Sequence, residues 1–492
     1  MKVSLEPLLR RLSYQPPFET PFEFVQTSHP SIVIGKDDFA CHTTTSNPFD
    51  LISIQNEQIL FNAMGPFSYL PRKDIETLAQ NGPSVKDMLA GLSEDELKDL
   101  TQLELSETIE SLEDAAKKAP IVRLVDAIIR EAHARRASDI HLEPTQHGTS
   151  LRYRIDGVLY EQQAPPRALF PAIASRIKIL AGINIAEKRL PQDGRIRMKS
   201  DESELDIRVA TVPSIYGESI SLRLLDKSNK MRSLTDLGLS KYDLERISIL
   251  SSYPNGIILV TGPTGGGKTT TLYAMLQAIR TSERKILTLE DPVEYEIAGV
   301  TQIQVKPKIG LTFAEGLRSL LRHDPDVLLV GEIRDRETAE MAIHASLTGH
   351  LVLSSLHTND APGAVTRLLD MGIEEFLLAS TIRAVLAQRL VRVLCHNCRK
   401  LESDGTYSSV GCEECDGTGF HGRTAIYELM VVDDQLRDEI TSGTTTNTLR
   451  GLAIKAGMRT LLEDGLTKVE QGITSIAEVH RVLGKSYVGE VV

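Results

Sequence analysis

Three clusters of residues in this chain have types and spacings that do chemistry. The first is Gly262-Pro263-Thr264-Gly265-Gly266-Gly267-Lys268-Thr269, followed by Thr270, which matches G-x-x-x-x-G-K-[ST]. Glycines at these positions let the backbone curl so that N–H groups point inward at phosphate oxygens. Lys268 then reaches the β- and γ-phosphates and Thr269 offers a hydroxyl to Mg²⁺. The second cluster is Glu290, Glu332 and His357, each next to an apolar run. Hydrolysis of a nucleoside triphosphate needs one carboxylate to hold the Mg²⁺ shell and another to polarise water, and Glu290 and Glu332 suit these tasks. His357 could donate to a γ-phosphate and register its loss. A helix cap or a surface ion pair is the plain alternative for each of the three. The third cluster is Cys395-x₂-Cys398 and Cys412-x₂-Cys415, with 13 residues between the pairs. That spacing reads as a closed tetrahedral zinc site. A redox pair is the rival, but two knuckles serve a metal better. The fifth cysteine, Cys41, reads as an ordinary small residue.

Chemistry of this kind needs rigid elements to aim it. Over 238–380 short apolar strands alternate with amphipathic helices: 256–261 then 269–280, 285–289, 327–330 then 335–347, 351–355 then 361–371. Thr312 and Glu315 carry a capping-box signature for a helix ending near Arg322. Buried strands interleaved with helices predict a mostly parallel sheet covered on both faces. Ligands in such folds sit beyond the carboxyl ends of the strands, where the loop, both glutamates and the histidine all fall.

Upstream, Val125, Ile128, Ile129 and Ala132 space a helix, 149–155 and 203–225 alternate as half-buried strands, and 169–180 is helical. These predict a small α/β domain over 119–226, joined by a short polar linker, 227–237, to a domain spanning 238–492. Residues 394–424 would form its tetracysteine subdomain, followed by a helical C-terminal part. Residues 1–90 read as a further small α/β module. Residues 91–118 read as an acidic helical linker, because Glu94–Asp114 hold nine acids and one lysine and cannot bury a core.

Composition excludes other classes. The 492 residues are 41% hydrophobic and 25% charged, ordinary for a globular chain of two to four domains. Five cysteines cannot staple a disulfide scaffold. The longest apolar runs fall far short of the roughly 20 residues of a membrane helix. The N-terminal residues have no secretory apolar region, so a cytosolic protein is expected. The net charge of −12 resides mostly in residues 1–120, with 10 basic and 19 acidic side chains, net −9. The remainder has 45 and 48, net −3, and no footprint of a dedicated nucleic-acid binder.

The run Gly262–Thr270, the acidic box Leu289–Tyr295, the segment Leu321–Glu340 and the histidine box Gly349–Ala361 together resemble the secretion ATPases of type II and type IV pilus systems. So do Ala137–Pro144, Gly457–Leu461 and Asp464-Gly465, and the resemblance spans about 120–485. It implies a RecA-like P-loop ATPase domain with a zinc-binding insertion, preceded by two smaller α/β domains, the second of them PAS-like. It implies a homohexamer that hydrolyses ATP with Mg²⁺ and drives a periplasmic pseudopilus. Such a motor is cytosolic but peripheral on the inner membrane of a Gram-negative cell. There it would dock through residues 1–90 on the cytoplasmic part of a membrane protein, and on a platform protein, with anionic lipid as a further contact. The resemblance maps the catalytic glutamate to Glu290 and puts Glu332 near Mg²⁺. Gly331 stands where other P-loop proteins have a metal-binding Asp. Arg208 and Arg223 match the family's arginine positions, and a planar guanidinium suits charge building on a γ-phosphoryl group. Two surface ion pairs are the plainer reading. Arg318 and Arg322, four apart on one helix face, belong either to the same site or to a subunit interface.

The tetracysteine separates the chain from pilus-retraction ATPases, and the single short N-terminal module favours the type II branch over pilus assembly. Gly266 stands where the family usually has serine, and the cysteine insertion is short. A DNA-translocating motor and a docking subunit that binds ATP without hydrolysing it are the competing functions.

Overall fold

The computed structural model describes residues 32–36, 39–43, 84–90, 114–199, 204–226, 232–443 and 445–484. Most of the expected module 1–90, the acidic linker up to residue 113, and residues 227–231 lie outside the described residues. The chain divides into two compact units, Met1–Asn229 and Lys230–Val492.

In the first unit a hairpin, β1 (Ile32–Lys36) and β2 (Phe39–Thr43), and a short helix, α1 (Val85–Ala90), precede the main body. That body is helix α2 (Ala119–Ala134), strands β3 (Ala137–Pro144), β4 (Thr149–Ile155) and β5 (Val158–Glu161), helix α3 (Phe170–Ala181), and strands β6 (Gln192–Lys199), β7 (Glu204–Ser214) and β8 (Gly217–Asp226). The six strands form one antiparallel sheet in the order β5-β4-β3-β8-β7-β6. The two-residue period sorts its faces. Ile140, Leu142, Leu151, Tyr153, Ile207, Val209, Ile220 and Leu222 pack against the apolar stripes of α2 and α3. Val85 and Ala115 lie in this same core, and Glu131 of α2 accepts from the Val85 N–H at 3.1 Å. Residues 84–90 thus pack with the 119–226 body.

The second unit opens with a 3₁₀ turn at Leu234–Leu237, whose two leucines are buried in its core, and α4 (Lys241–Leu250). Its sheet has seven strands: β9 (Gly256–Thr261), β10 (Ile286–Glu290), β11 (Thr301–Gln304), β12 (Val327–Val330), β13 (Leu351–Leu356), β14 (Ile382–Leu394) and β17 (Phe420–Val431). They lie in the order β11-β10-β12-β13-β9-β14-β17. All neighbours are parallel except β14–β17, which pair antiparallel. Helices α5 (Lys268–Ile279), α6 (Phe313–Leu320), α7 (Arg336–Leu347), α8 (Ala361–Asp370) and α9 (Glu375–Thr381) connect or flank them. α6 starts at Thr312, whose hydroxyl accepts from the Glu315 N–H at 3.3 Å, and passes into a 3₁₀ turn at Leu321–His323.

Burial explains why the parallel strands read as unbroken apolar runs. Ile257 and Leu259 face one core with α6, α7 and α8, while Ile258 and Val260 face the other with α4 and α5. Between β14 and β17 the chain makes a tiny hairpin, β15 (Lys400–Leu401) and β16 (Tyr407–Ser408), with two of the cysteines before it and two after. The last helices are α10 (Asp434–Thr441), α11 (Thr446–Lys455), α12 (Leu461–Glu470) and α13 (Ile476–Leu483). α12 covers the open edge of β17, where Asp464 accepts from the Tyr427 N–H at 2.9 Å.

Candidate functional site

The phosphate-type loop lies between β9 and α5, at the centre of the sheet. Gly262 has φ 151° and a Cβ there would collide with the Gln388 carbonyl of β14, so only glycine fits. Lys268, the first residue of α5, folds its ammonium back onto the loop, donating to the carbonyls of Gly262 at 2.9 Å and Pro263 at 3.1 Å. Burial lowers its pKa from the ordinary 10.5, and the nearby Glu332 carboxylate works against that shift. Pro263, Thr264, Gly265 and Thr269 are exposed, so the mouth of the loop is open. A Cβ on Gly266 would approach the Pro263 carbonyl to 2.9 Å, so a serine there requires the loop to widen.

β12 and β13 are parallel neighbours, and their ends place Glu332 and His357 side by side. His357 Nε2 lies 3.4 Å from a Glu332 carboxylate oxygen, and Arg334 pairs with the other oxygen. The histidine segment is tied to β9: the Thr358 N–H donates to Thr261 Oγ1 at 2.8 Å, and the two hydroxyls lie 2.7 Å apart. Lys268, Glu332 and His357 are thus gathered at the ends of three adjoining strands, β9, β13 and β12.

Glu290 is handled differently. It ends β10 and is only 3% exposed. Its carboxylate accepts from the Tyr273 hydroxyl, from Thr288 Oγ1 at 2.5 Å and from Gln302 Nε2 at 3.2 Å. Burial, then Glu290 itself, pushes the Tyr273 phenol well above its ordinary pKa, which keeps it a donor. The main chain of Glu290 also crowds Gly331, where a Cβ would come within 3.4 Å of the Glu290 Cα.

Arg208 and Arg223 lie in the first unit, directly opposite each other on β7 and β8. Arg195 stands opposite Arg208 on the other side, and Asp139 opposite Arg223. Arg223 Nε donates to Asp139 Oδ1 at 3.0 Å, and Arg195 pairs with Asp206. Arg318 is held by Glu315 at 3.1 Å and Glu337 at 2.6 Å, while Arg322 donates to the Arg318 carbonyl at 3.0 Å.

The four cysteines converge although nothing bridges them covalently. Sγ–Sγ separations are 3.8 Å (Cys395–Cys412), 3.7 Å (Cys398–Cys415) and 3.7 Å (Cys412–Cys415), and all four sulfurs lie within 4.8 Å of one another. A regular tetrahedron of roughly 2.3 Å metal–sulfur bonds has edges of about 3.8 Å, so the group fits a zinc-sized ion. A disulfide, at about 2.05 Å, is excluded at these separations. N–H groups of Gly411, Cys412 and Gly419 donate to Cys398 and Cys415 sulfurs at 3.2–3.3 Å, as thiolate ligands require. At Cys415 burial pushes the thiol up, but these donors outweigh it and bring it to about 7. Burial leaves Cys398 at about 11.

Sequence reasoning missed Gln388 and Tyr273. Gln388 is 1% exposed on β14 and donates to the Gly266 carbonyl at 2.5 Å while accepting from Thr271 Oγ1 at 2.8 Å. Nothing local marks either residue, since their partners lie on other elements.

Residues 114–481 match the family model for type II/IV secretion system proteins. Among curated proteins, the chain is 51% identical to type II secretion system protein HxcR of Pseudomonas aeruginosa over 374 residues, covering 76% of this chain and 80% of that one. It is 49% identical to type II secretion system ATPase E of Vibrio cholerae, covering 77% and 78%. It is 46% identical to type IV pilus assembly ATPase PilB of Myxococcus xanthus, covering 82% and 74%. Among solved structures it is similar to the Legionella pneumophila ATPase DotB (TM-score 0.57, 25% identity, 74% of this chain and 95% of that one). It is also similar to the pilus retraction motor PilT with bound ADP (TM-score 0.52, 26% identity, 73% and 96%).

Proposed function

The chain belongs to the type II/IV secretion system protein family, and from that premise we propose that it is the ATPase motor of a type II secretion system. It hydrolyses ATP and couples that hydrolysis to protein export. The observation that carries this reading is the gathering of Lys268, Glu332 and His357 beyond a glycine loop that can cradle phosphates.

Each residue has a stated task. The N–H groups of 262–270 and the start of α5 take the phosphates. Lys268 exchanges the Gly262 and Pro263 carbonyls for phosphate oxygens. Thr269 would hold Mg²⁺, which when bound with ATP neutralises charge on the β- and γ-oxygens. The resemblance gives the attacking water to Glu290 and a place near Mg²⁺ to Glu332; the enclosure of Glu290 by its donors favours Glu332 as the group that orients water, with His357 beside it to sense the γ-phosphate. Glu290, held by three donors, ties the Tyr273 hydroxyl of α5 to the end of β10. Arg208 and Arg223 supply guanidinium groups to the transferred phosphoryl. Cys395, Cys398, Cys412 and Cys415 hold zinc as a structural ion.

We further infer a homohexamer, docked at the inner membrane on a membrane protein of its system and on a platform protein. No helix among the described residues is long and apolar enough to cross a membrane. Lys268→Ala tests the enzymatic core. ATP turnover should vanish while the fold and bound zinc persist, because Lys268 stabilises charge that develops in transfer. Full turnover in that variant would sink the reading. The 46% identity to PilB supports a second reading, pilus assembly. Exchanging residues 1–118 between the two systems and scoring secretion against piliation separates them.

A further inference from the structure

The phosphate loop contains one peptide whose direction must be imposed from outside. In an anion cradle the N–H groups turn inward, so carbonyls turn outward into the protein. A buried carbonyl needs a donor. Gly266 is buried, and the donor for its carbonyl is the side-chain amide of Gln388, at 2.5 Å. The amide's direction is set at its Gly266 end, while its oxygen, on the other side, accepts from Thr271 Oγ1 at 2.8 Å. Reversal would set oxygen against the Gly266 carbonyl oxygen.

The need for such a clamp follows from the loop's composition. Gly265 and Gly267 both have positive φ, at 75° and 85°, and flank a third glycine. No side chain resists rotation of the peptides between them. A flipped Gly266–Gly267 peptide would turn its carbonyl into the cradle and oppose the phosphate. Lys268 occupies the carbonyls of Gly262 and Pro263, the first half of the loop. Gln388 holds the second half.

We propose that Gln388 is a positioning residue for nucleotide binding: its amide keeps the Gly266 carbonyl outward, and so keeps the loop's N–H groups aimed at the phosphates before nucleotide arrives. This rests on the reading of the loop as the ATP site. Because the clamp serves ground state and transition state alike, its loss acts on affinity and KM and leaves kcat nearly unchanged.

The test uses the full chain, a fluorescent ADP derivative with Mg²⁺, and ATP turnover. Gln388→Met should weaken ADP binding and raise KM by about tenfold or more, with kcat within about threefold. Gln388→Glu should do at least as much, since it places a carboxylate against the Gly266 carbonyl. Thr271→Val removes the partner of the amide oxygen and leaves the Gly266 donor, so its affinity should stay within about twofold of the parent. Unfolding midpoints are measured for each variant, and titrations are run well below the lowest. Should Gln388→Met not fold, Gln388→Asn, which keeps the amide but falls short of Gly266, should give the same loss. Parental affinity in folded Gln388→Met overturns the proposal. So does an equal loss in Thr271→Val, which would make the pair simple core packing, or a fall in kcat with KM unchanged. If the parent chain itself fails to bind the probe, the ATP-site reading fails and the role of Gln388 falls with it.

Discussion

Glu290 and Glu332 both end strands of one parallel sheet, yet their surroundings part them. Glu290 is enclosed by donors from three elements, Tyr273 of α5, Thr288 of β10 and Gln302 of β11. Glu332 shares its oxygens with the side chains of Arg334 and His357, which are exposed and free to move aside. A carboxylate that must orient water needs a lone pair it can release, and the exposed partners of Glu332 are the more easily displaced. Glu332→Gln should therefore cut kcat by about two to four orders of magnitude while ADP still binds. Single-turnover phosphate release beside a binding isotherm checks this, and near-parental kcat would return the task to Glu290. Residue type and spacing make the two glutamates look equivalent, and the resemblance gives the catalytic task to Glu290; neither reports which neighbours claim their oxygens.

At the scale of elements, one buried carboxylate joins three of them. Glu428 of β17 accepts from the first N–H of α8, at Ala361 (2.8 Å), and from the first N–H of α12, at Leu461 (3.4 Å). Burial raises its pKa from 4.5 to about 7, reinforced by Asp360 and opposed by those N–H groups and Arg450. The folded chain therefore holds a proton here that the unfolded chain has already released. Its contribution is intact below about pH 4.5 and is lost as pH rises to about 7, a swing on the order of 3 kcal/mol. Glu428→Gln should flatten that slope and gain stability on the parent at pH 8 relative to pH 5. Calorimetry at both pH values decides it, and identical pH slopes would refute it.

Elements differ in how plainly they can be read from sequence. β9, β12 and β13 are legible because burial on both faces leaves unbroken apolar runs, and Asp335 and Asp360 mark the starts of α7 and α8 as caps. β14 is harder to read because Arg383, Gln388, Arg389 and Arg392 interrupt it and its partner β17 lies beyond the cysteines. The glycine loop announces itself in eight adjacent residues, whereas its clamp, Gln388, lies 122 residues from Gly266. A contact of that span leaves no periodicity to find.

For the whole molecule, the two units divide the proposed labour. The phosphate loop, Glu332 and His357 belong to Lys230–Val492, whereas Arg208 and Arg223 belong to the first unit. Each unit has its own apolar core. Residues 230–492 expressed alone should fold and bind ADP near parental strength, yet turn over ATP at least about a hundredfold more slowly for want of the guanidinium groups. Parental turnover by that fragment would remove both arginines from the mechanism. A motor must also carry force, and β14 determines how this one can. Its Gln388 grips the loop that empties and fills, and seven residues later, just past the end of the strand, comes the first cysteine of the cluster. Between those points it is laced on one side to β17, and before Gln388, from Ile382 to Ala387, it is laced to β9 on the other. A pull along such a strand loads its hydrogen bonds together, in shear, instead of one after another as in peeling. The cysteine knuckle is therefore a stiff handle on the nucleotide loop, and a tug at one end would be felt at the other with little slack.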